Sequence, residues 1–356
     1  MAHSTTDVNI LKVEPLISPE ELQRQLPITP KTAEVVLEGR AQIQDILHGY
    51  DSRMLVIVGP CSIHDDEHAA LEYAERLAAL AERVADRILI VMRVYFEKPR
   101  TVLGWKGLIN DPALDGTFDI TSGLYRARRL LLRLAEMGVH SATELLDAIV
   151  PQYIADLVSW AAIGARTTES QMHREMASGL SMPVGFKNGT DGNSQIAVDA
   201  MRTARAPHAF LGIDMEGHNC VIRTSGNAYS HLILRGGTSG SNYEAAEVEA
   251  VQRQLTDAGL PPRLMVDCSH ANSEKDYTRQ GIAFRDVIEQ RIAGNDDVVG
   301  LMVESNLLPG NQPLGDDPSK LVYGVSITDA CIGWEETETL LTDAHSRLPA
   351  VAQPVS

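Results

Sequence analysis

Two sets of residues in this chain are of types that could do chemistry. The first is cationic: Arg93, Lys98, Arg100, Arg166, Lys187 and Arg235. Each falls at or just past the end of a short apolar run. Arg presents a rigid fork of donors matched to carboxylates and phosphates. A single Arg at such a place is ordinarily half of a salt bridge. Six at equivalent places are different, because the chain has 31 basic and 48 acidic residues, a net charge of 31 − 48 = −17. Cations gathered in a partly dry site repel one another strongly, so anionic ligands are expected to hold them together. Gly236–Gly237, beside Arg235, is expected to let backbone amides approach an oxyanion.

The second set is Cys61, His270, Glu304 and Asp329. Thiolate, imidazole and carboxylates make a mixed sphere for one borderline divalent cation such as Mn, Fe, Co or Zn. The four lie far apart in sequence, so spacing alone proves nothing. The plainer readings are a buried small hydrophobe at Cys61 and a hydrogen-bonded core histidine at His270. Cys268 and His270 would share one face of a strand, with Cys268 one layer deeper as packing. Trp105, Trp160 and Trp334 read as packing residues, and the acidic face of 244–257 as a solvated helix.

The elements that must position these residues are legible as alternation. Apolar, β-branched runs occur at 54–60, 88–96, 139–144, 160–166 and 182–188, then at 208–215, 219–224, 231–237, 263–270 and 298–305. Their near-continuous apolarity suits parallel strands covered on both faces. Amphipathic stretches follow most of them, at 65–85 (with Asp65 and Asp66 near the start), 121–137, 168–180, 194–205, 243–258 and 276–293. Only three residues join 208–215 to 219–224, which fits a hairpin. Setting the hairpin aside leaves eight strand–helix units. The expected fold is α/β, a (β/α)8 TIM barrel with an inserted β-hairpin at about 208–225 and a proline-punctuated N-terminal arm over 1–30. The barrel would span 31–346, and 347–356 would be a frayed tail. In such a barrel the carboxyl ends of the strands carry the chemistry, and both residue sets fall there.

Composition narrows the class. At 44% hydrophobic and 22% charged the chain has material for a large core. The acidic balance and 5% aromatic content speak against a nucleic-acid partner. The longest pure apolar stretches, 54–58 and 88–92, are too short to cross a membrane, so none is expected as a partner. Residues 1–20 have neither a basic n-region nor an apolar h-region, and the four cysteines form no CxxC pair. An export signal is not expected, and a cytoplasmic enzyme with reduced thiols is.

The segments GPCSIHD (59–65), RVYFEKPRT (93–101), GWKGLINDP (104–112), GARTTESQ (164–171) and GFKNGTDG (185–192) are distinctive. So are LRGG (234–237), DCSHANS (267–273), MVES (302–305) and SITDACIGW (326–334). Together they resemble the type I 3-deoxy-D-arabino-heptulosonate 7-phosphate (DAHP) synthases, over residues 8 to 346. The resemblance implies condensation of phosphoenolpyruvate with D-erythrose 4-phosphate, the first step of the shikimate pathway toward chorismate and the aromatic amino acids. It implies that Arg93, Lys98, Arg166, Lys187 and Arg235 hold phosphoenolpyruvate, and that Pro99, Arg100 and Thr101 surround the erythrose phosphate. Cys61, His270, Glu304 and Asp329 match the family's metal ligands. Lys98, Cys61, His270 and Asp329 would carry the catalysis, with Lys98 expected to have a pKa lowered by neighbouring cations.

The resemblance also implies feedback inhibition by an aromatic amino acid and assembly into a homodimer or homotetramer. Asp7, Asp147, Pro151, Gln152, Ser181 and Gly212 match effector-pocket positions. Ala148 stands where the family commonly has Met. Gly212 stands where phenylalanine-sensitive members have Ser, which leaves room for a hydroxyl and favours tyrosine. The alternatives are a sister synthase taking a different aldose phosphate, or a non-catalytic barrel that senses amino acids.

Overall fold

The computed structural model describes residues 5–64 and 67–350. Eight parallel strands close a barrel: β1 (Met54–Gly59), β2 (Ile88–Arg93), β3 (Ser141–Glu144), β4 (Trp160–Ile163), β5 (Val184–Lys187), and, after a hairpin, β8 (Ser230–Leu234), β9 (Leu264–Asp267) and β10 (Val298–Glu304). The hairpin comprises β6 (Ala209–Ile213) and β7 (Asn219–Arg223), which pair only with each other. Every residue of the eight barrel strands is buried. That is why they read as unbroken apolar runs rather than alternating ones.

Successive side chains still alternate between two cores. Leu55, Ile57, Leu89, Val91, Ala142, Trp160, Ile233 and Met265 fill the barrel interior. Val56, Val58, Ile90, Leu232 and Val266 face outward, under the surrounding helices. The interior is therefore a packed column, and open space is left only at its ends.

The expected helices are present as α3 (His68–Val84), α4 (Ile120–Glu136), α6 (Gln171–Gly179), α7 (Gln195–Ala204), α8 (Ala245–Asp257) and α9 (Gln280–Ile292). Asp65 and Asp66 lie outside the described residues, as does the end of the tail, 351–356. The third unit has almost no helix, only α5 (Pro151–Ile154) and one 3-10 turn.

Three helices were not expected: α1 (Pro19–Gln25), α2 (Pro30–His48) and α10 (Trp334–Arg347). Pro19 and Pro30, read as punctuation of an arm, are instead first helical residues, where the missing N–H loses nothing. Thr29 and Thr32 bond reciprocally to cap α2, and Gly49 ends it in a left-handed conformation at φ 79°. Ile43, Ile46 and Leu47 of α2 join the interior cluster and plug the amino-terminal end of the barrel. The arm proper is the extended stretch before α1.

The strand ends also needed correction. β9 stops at Asp267, so Cys268 and His270 do not share a strand face. Cys268 is fully buried in the outer core, while His270 turns away at φ 59°. Trp160 and Trp334 are packing residues, and Trp105 is partly buried with its indole N–H on the Asp111 carbonyl. No helix among the described residues is long and apolar enough to cross a membrane.

One polar pair crosses the interior. The Trp160 indole N–H donates to His231 Nε2 at 3.1 Å, and His231 Nδ1 lies 3.2 Å from the Tyr229 carbonyl. The ring is thus held neutral, and burial pushes its pKa down to about 4. In the unfolded chain the same ring titrates near 6.5. The unfolded state takes the proton first, so stability is complete above pH 6.5 and drains away as pH falls toward 4. Urea titrations at pH 7 and pH 4.5 should differ by up to about 3 kcal/mol more in the wild type than in His231→Gln; equal differences would exclude this role.

Candidate active site

Four strand ends and their loops, those of β2, β4, β5 and β8, aim the cationic set into one cavity at the carboxyl end of the barrel. Arg93, Lys98, Arg100, Arg166, Lys187 and Arg235 all line it, with Pro99, Glu144, Thr190, His270 and Asp329. Thr101, expected beside the erythrose phosphate, is exposed and does not line the cavity.

The structure divides the six cations into two kinds. Arg93 pairs with Glu304 at 2.8 Å and Lys187 with Asp267 at 2.7 Å, all four side chains buried. Lys98 donates to the Cys61 sulfur at 2.8 Å. Among the described residues the Arg100 side chain bonds only the Trp105 carbonyl, and that of Arg235 has one long contact, 3.5 Å, to the Gly236 carbonyl. Arg166 has neither a hydrogen bond nor an ion pair among the described residues. Burial lowers the pKa of Arg235, Asp267 opposes that and Arg166 adds to it, and the net shift is downward. Two guanidiniums that line one cavity without ion-pair partners of their own suit an anion, which relieves both the repulsion and the lost hydration.

The backbone supports these side chains closely. Asn188 accepts from the Arg235 N–H at 2.8 Å and donates to the Gly236 carbonyl at 3.0 Å. The Gly236 and Gly237 amides do not await an oxyanion as expected. They donate to Asn242 Oδ1 and to the Gly240 carbonyl, so their role is to shape the loop. Gly237 is needed for close approach: a Cβ there would stand 2.0 Å from the Gly192 nitrogen. Gly107 allows the Lys98 loop to fold, since a Cβ would meet the Phe96 carbonyl oxygen at 2.2 Å.

Of the second set, the structure brings three residues together. Cys61 Sγ lies 3.3 Å from Glu304 and 3.4 Å from Asp329, and one donor atom from each residue falls within 4.8 Å of the others. His270 shares the cavity, but its Nε2 turns to Asp267 at 3.3 Å and Lys187 at 3.5 Å. Its positive φ in a non-glycine residue is the backbone strain common at functional sites. Burial first, then Glu304, pushes the Cys61 thiol up to about 12. A soft sulfur between two hard carboxylates, all converging, fits a borderline divalent cation, whose charge would turn the thiol into a thiolate.

Lys98 departs from expectation. Burial alone lowers its pKa, and so does Arg93, but the Cys61 sulfur, Glu304 and Asp329 outweigh them, and the net shift is upward. The acidic groups together outweigh Arg93, the cation that adjoins it, so Lys98 is held as an ammonium. Burial raises the Asp329 carboxyl, and Lys98 and His270 more than reverse that, so Asp329 stays ionised.

Sequence reasoning passed over Asp267, Asn188 and Gln280, which hold Lys187, Arg235 and the Glu304 backbone, the last through both its N–H and its carbonyl. Asp267 could have been found, since it ends a strand as the named residues do. Glu144, the last residue of β3, lines the cavity with one buried oxygen unpartnered among the described residues. Glu97 is buried beside Leu146, whose N–H it accepts, and burial raises its pKa to about 7.

The effector positions divide as well. Pro151, Gln152 and Ser181 line one cavity of about 340 Å³ with Gln23, Ile28 and Met215; Asp7, Asp147 and Gly212 do not line it. At Gly212 a Cβ would meet Ile222 Cδ1 at 2.3 Å, so Ile222 fills the room expected there for a hydroxyl.

A (β/α)8 barrel whose mouth gathers unpaired guanidiniums beside a thiol–carboxylate cluster defines an enzyme class acting on small anions with a divalent cation. Residues 25–342 match the DAHP synthetase I family, and the chain belongs to that family. It is 54% identical over 342 residues to the Tyr-sensitive phospho-2-dehydro-3-deoxyheptonate aldolase of Escherichia coli (strain K12), covering 96% of each chain. It is 53% identical over 350 residues to the Phe-sensitive enzyme of the same organism, covering 98% of this chain and 99% of the other. A solved phospho-2-dehydro-3-deoxyheptonate aldolase from Francisella tularensis SCHU S4 superposes with a TM-score of 0.93 at 47% identity, covering 96% and 98%.

The thiol cluster is directly testable. Adding Co²⁺ to the metal-free chain should produce a sulfur-to-cobalt charge-transfer band in the near ultraviolet and release about one proton per site. Cys61→Ser should lose the band; an unchanged spectrum would remove Cys61 from the ligand set.

Proposed function

We propose that this chain condenses phosphoenolpyruvate with D-erythrose 4-phosphate and water to give 3-deoxy-D-arabino-heptulosonate 7-phosphate and phosphate, the first step of the shikimate pathway. The observation that carries this reading is that Arg166 and Arg235, neither of them in an ion pair among the described residues, line one cavity with Lys98 and Lys187. Arg93, Lys98, Arg166, Lys187 and Arg235 hold phosphoenolpyruvate. Pro99, Arg100 and Thr101 flank the erythrose phosphate, the last from the rim.

Carbon 3 of the enol is a weak nucleophile, so the aldehyde must be turned toward it and activated. One divalent cation, Mn, Fe, Co or Zn, held by Cys61, His270, Glu304 and Asp329, would supply Lewis acidity toward that carbonyl. Lys98, an ammonium at the same spot, gives a proton to the oxygen that becomes an alcohol as the carbon–carbon bond forms. Water adds at carbon 2, and carbon–oxygen cleavage then expels phosphate. Arg166, Lys187 and Arg235 are in place before the charge develops and need no rearrangement.

Feedback inhibition belongs to the same reading; since Ile222 takes the space beside Gly212, tyrosine is the first effector to test on the ground that a 54% identical relative is Tyr-sensitive. Pro151, Gln152 and Ser181 form its pocket, and Asp7, Asp147 and Gly212 complete it on assembly. Exposed Val8, Ile10, Leu11 and Val13 in the arm and Leu211 and Val221 in the hairpin are apolar surface suited to a homodimer or homotetramer. All four cysteines are free, as a cytoplasmic location requires.

Metal-loaded protein should consume phosphoenolpyruvate only when erythrose 4-phosphate is present, followed by loss of the enol absorbance. Consumption with arabinose 5-phosphate instead would move the assignment to a sister synthase, and none with any sugar to a sensing barrel. Lys98→Met should lose at least a hundredfold in kcat; normal turnover would exclude Lys98 as the donor. Deleting residues 1–15 should abolish inhibition and lower the molar mass in light scattering while sparing catalysis. Inhibition that survives the deletion would refute the role of the arm.

A further inference from the structure

Arg93 is a buried guanidinium whose edges are poorly served. Its side chain is 1% exposed. One terminal nitrogen donates to Glu304 at 2.8 Å and faces the Cys61 sulfur at 3.7 Å; the other reaches only the Met302 thioether at 3.4 Å. Its Nε has no partner among the described residues. A cation this desolvated, with weak sulfur acceptors on much of its rim, needs stabilisation from its faces. The Tyr95 ring provides it, with the guanidinium carbon 3.8 Å above the ring centroid. The Lys98 ammonium lies 5.4 Å from the same centroid. Tyr95 is fully buried within the barrel interior and does not line the cavity, so it touches no ligand there.

We infer that Tyr95 is a positioning residue, a π platform whose electron-rich ring holds both Arg93 and Lys98 ready to receive the anionic substrate. The inference rests on the assignment of both cations to phosphoenolpyruvate. Its physical basis is that a ring quadrupole attracts both cations where a carboxylate would cancel their charge. Glu304 already neutralises one edge of Arg93. A second acid in place of Tyr95 would leave less positive charge for the ligand, and an aliphatic side chain would leave the two cations to repel each other. The Tyr95 hydroxyl reaches only the Met302 sulfur, at 3.8 Å, so the ring and not the oxygen does the positioning.

The test replaces Tyr95 by phenylalanine and then by 4-fluoro-, 3,5-difluoro- and 3,4,5-trifluorophenylalanine. The series keeps ring shape and packing while draining the negative face. Tyr95→Phe should stay within about twofold of wild type in KM for phosphoenolpyruvate. Along the fluorinated series that KM should climb stepwise by about tenfold in all, with kcat and melting temperature nearly constant. A flat series alongside a normal Tyr95→Phe would reduce Tyr95 to packing and overturn the inference. Direct calorimetric titration of wild type with phosphoenolpyruvate separates the two readings. No saturable binding there would instead overturn the assignment of the cavity. If Tyr95→Phe itself raised KM tenfold, the hydroxyl and not the ring would be the operative group, and the inference would also fail.

Discussion

Buried charge at the carboxyl end of the barrel is the constraint on which the rest of this structure depends. Arg93, Glu304, Lys187 and Asp267 all lose their water, and an isolated ion in that setting would cost several kcal/mol or more. They are tolerable only as partners, and partnership demands that strands far apart in sequence meet in register. β10 lies beside both β1 and β9, which sets Glu304 next to the Cys61 turn and near Arg93. β5 and β9 flank β8, so Lys187 and Asp267 reach each other across it. Each pair therefore depends on three neighbouring strands staying in register, and separating them would leave an uncompensated charge.

The opposite end of the barrel has the contrary chemistry. There α2 seals the column with Ile43, Ile46 and Leu47, the interior Trp160–His231 pair is neutral, and the Arg263 guanidinium bonds the Leu47 carbonyl at 3.4 Å from the partly exposed rim. The interior is apolar toward that end and highly charged toward the other. The asymmetry directs function to the carboxyl end, because fixed charges facing a low-dielectric cavity act strongly on whatever enters it. The paired cations hold the frame, while Arg166 and Arg235 remain without carboxylate partners. The acidic thiol cluster sits within reach of the same ions, so Lys98 responds to Cys61, Glu304 and Asp329 more than to its cationic neighbours.

The hairpin and the arm, to which the proposed function gives regulation, are of another kind. The hairpin and the arm stand outside the barrel and are half-exposed or exposed, with the hairpin tied to α1 through the Met215 carbonyl and the Glu20 N–H at 2.8 Å. Gln23 of α1 in turn donates to the Gln152 carbonyl beside the third, nearly helix-free unit. Glu97 links that unit to the Lys98 loop through Leu146. A short helix, a marginal unit and a buried acid connect these features, and such segments have the least packing to hold them in one arrangement.

By itself the sequence determined the barrel, because eight buried parallel strands must be apolar throughout and their helices must be amphipathic, and both patterns are local. It also determined the cationic set, since charged residues recur at the ends of those runs. It did not disclose α2, whose first residue is a proline that reads equally well as a loop and whose buried face is used only once the barrel exists to be plugged. It did not disclose that His270 turns aside to Asp267, that Gly236 and Gly237 spend their amides on their own loop, or that Lys98 is raised rather than lowered. The α2 plug and the Lys98 shift depend on distances to residues tens to hundreds of positions away, and the turns at His270 and Gly236–Gly237 on local backbone conformations that composition and periodicity do not specify. Electrostatic balance is a sum over such distances, so only the tertiary structure could decide it.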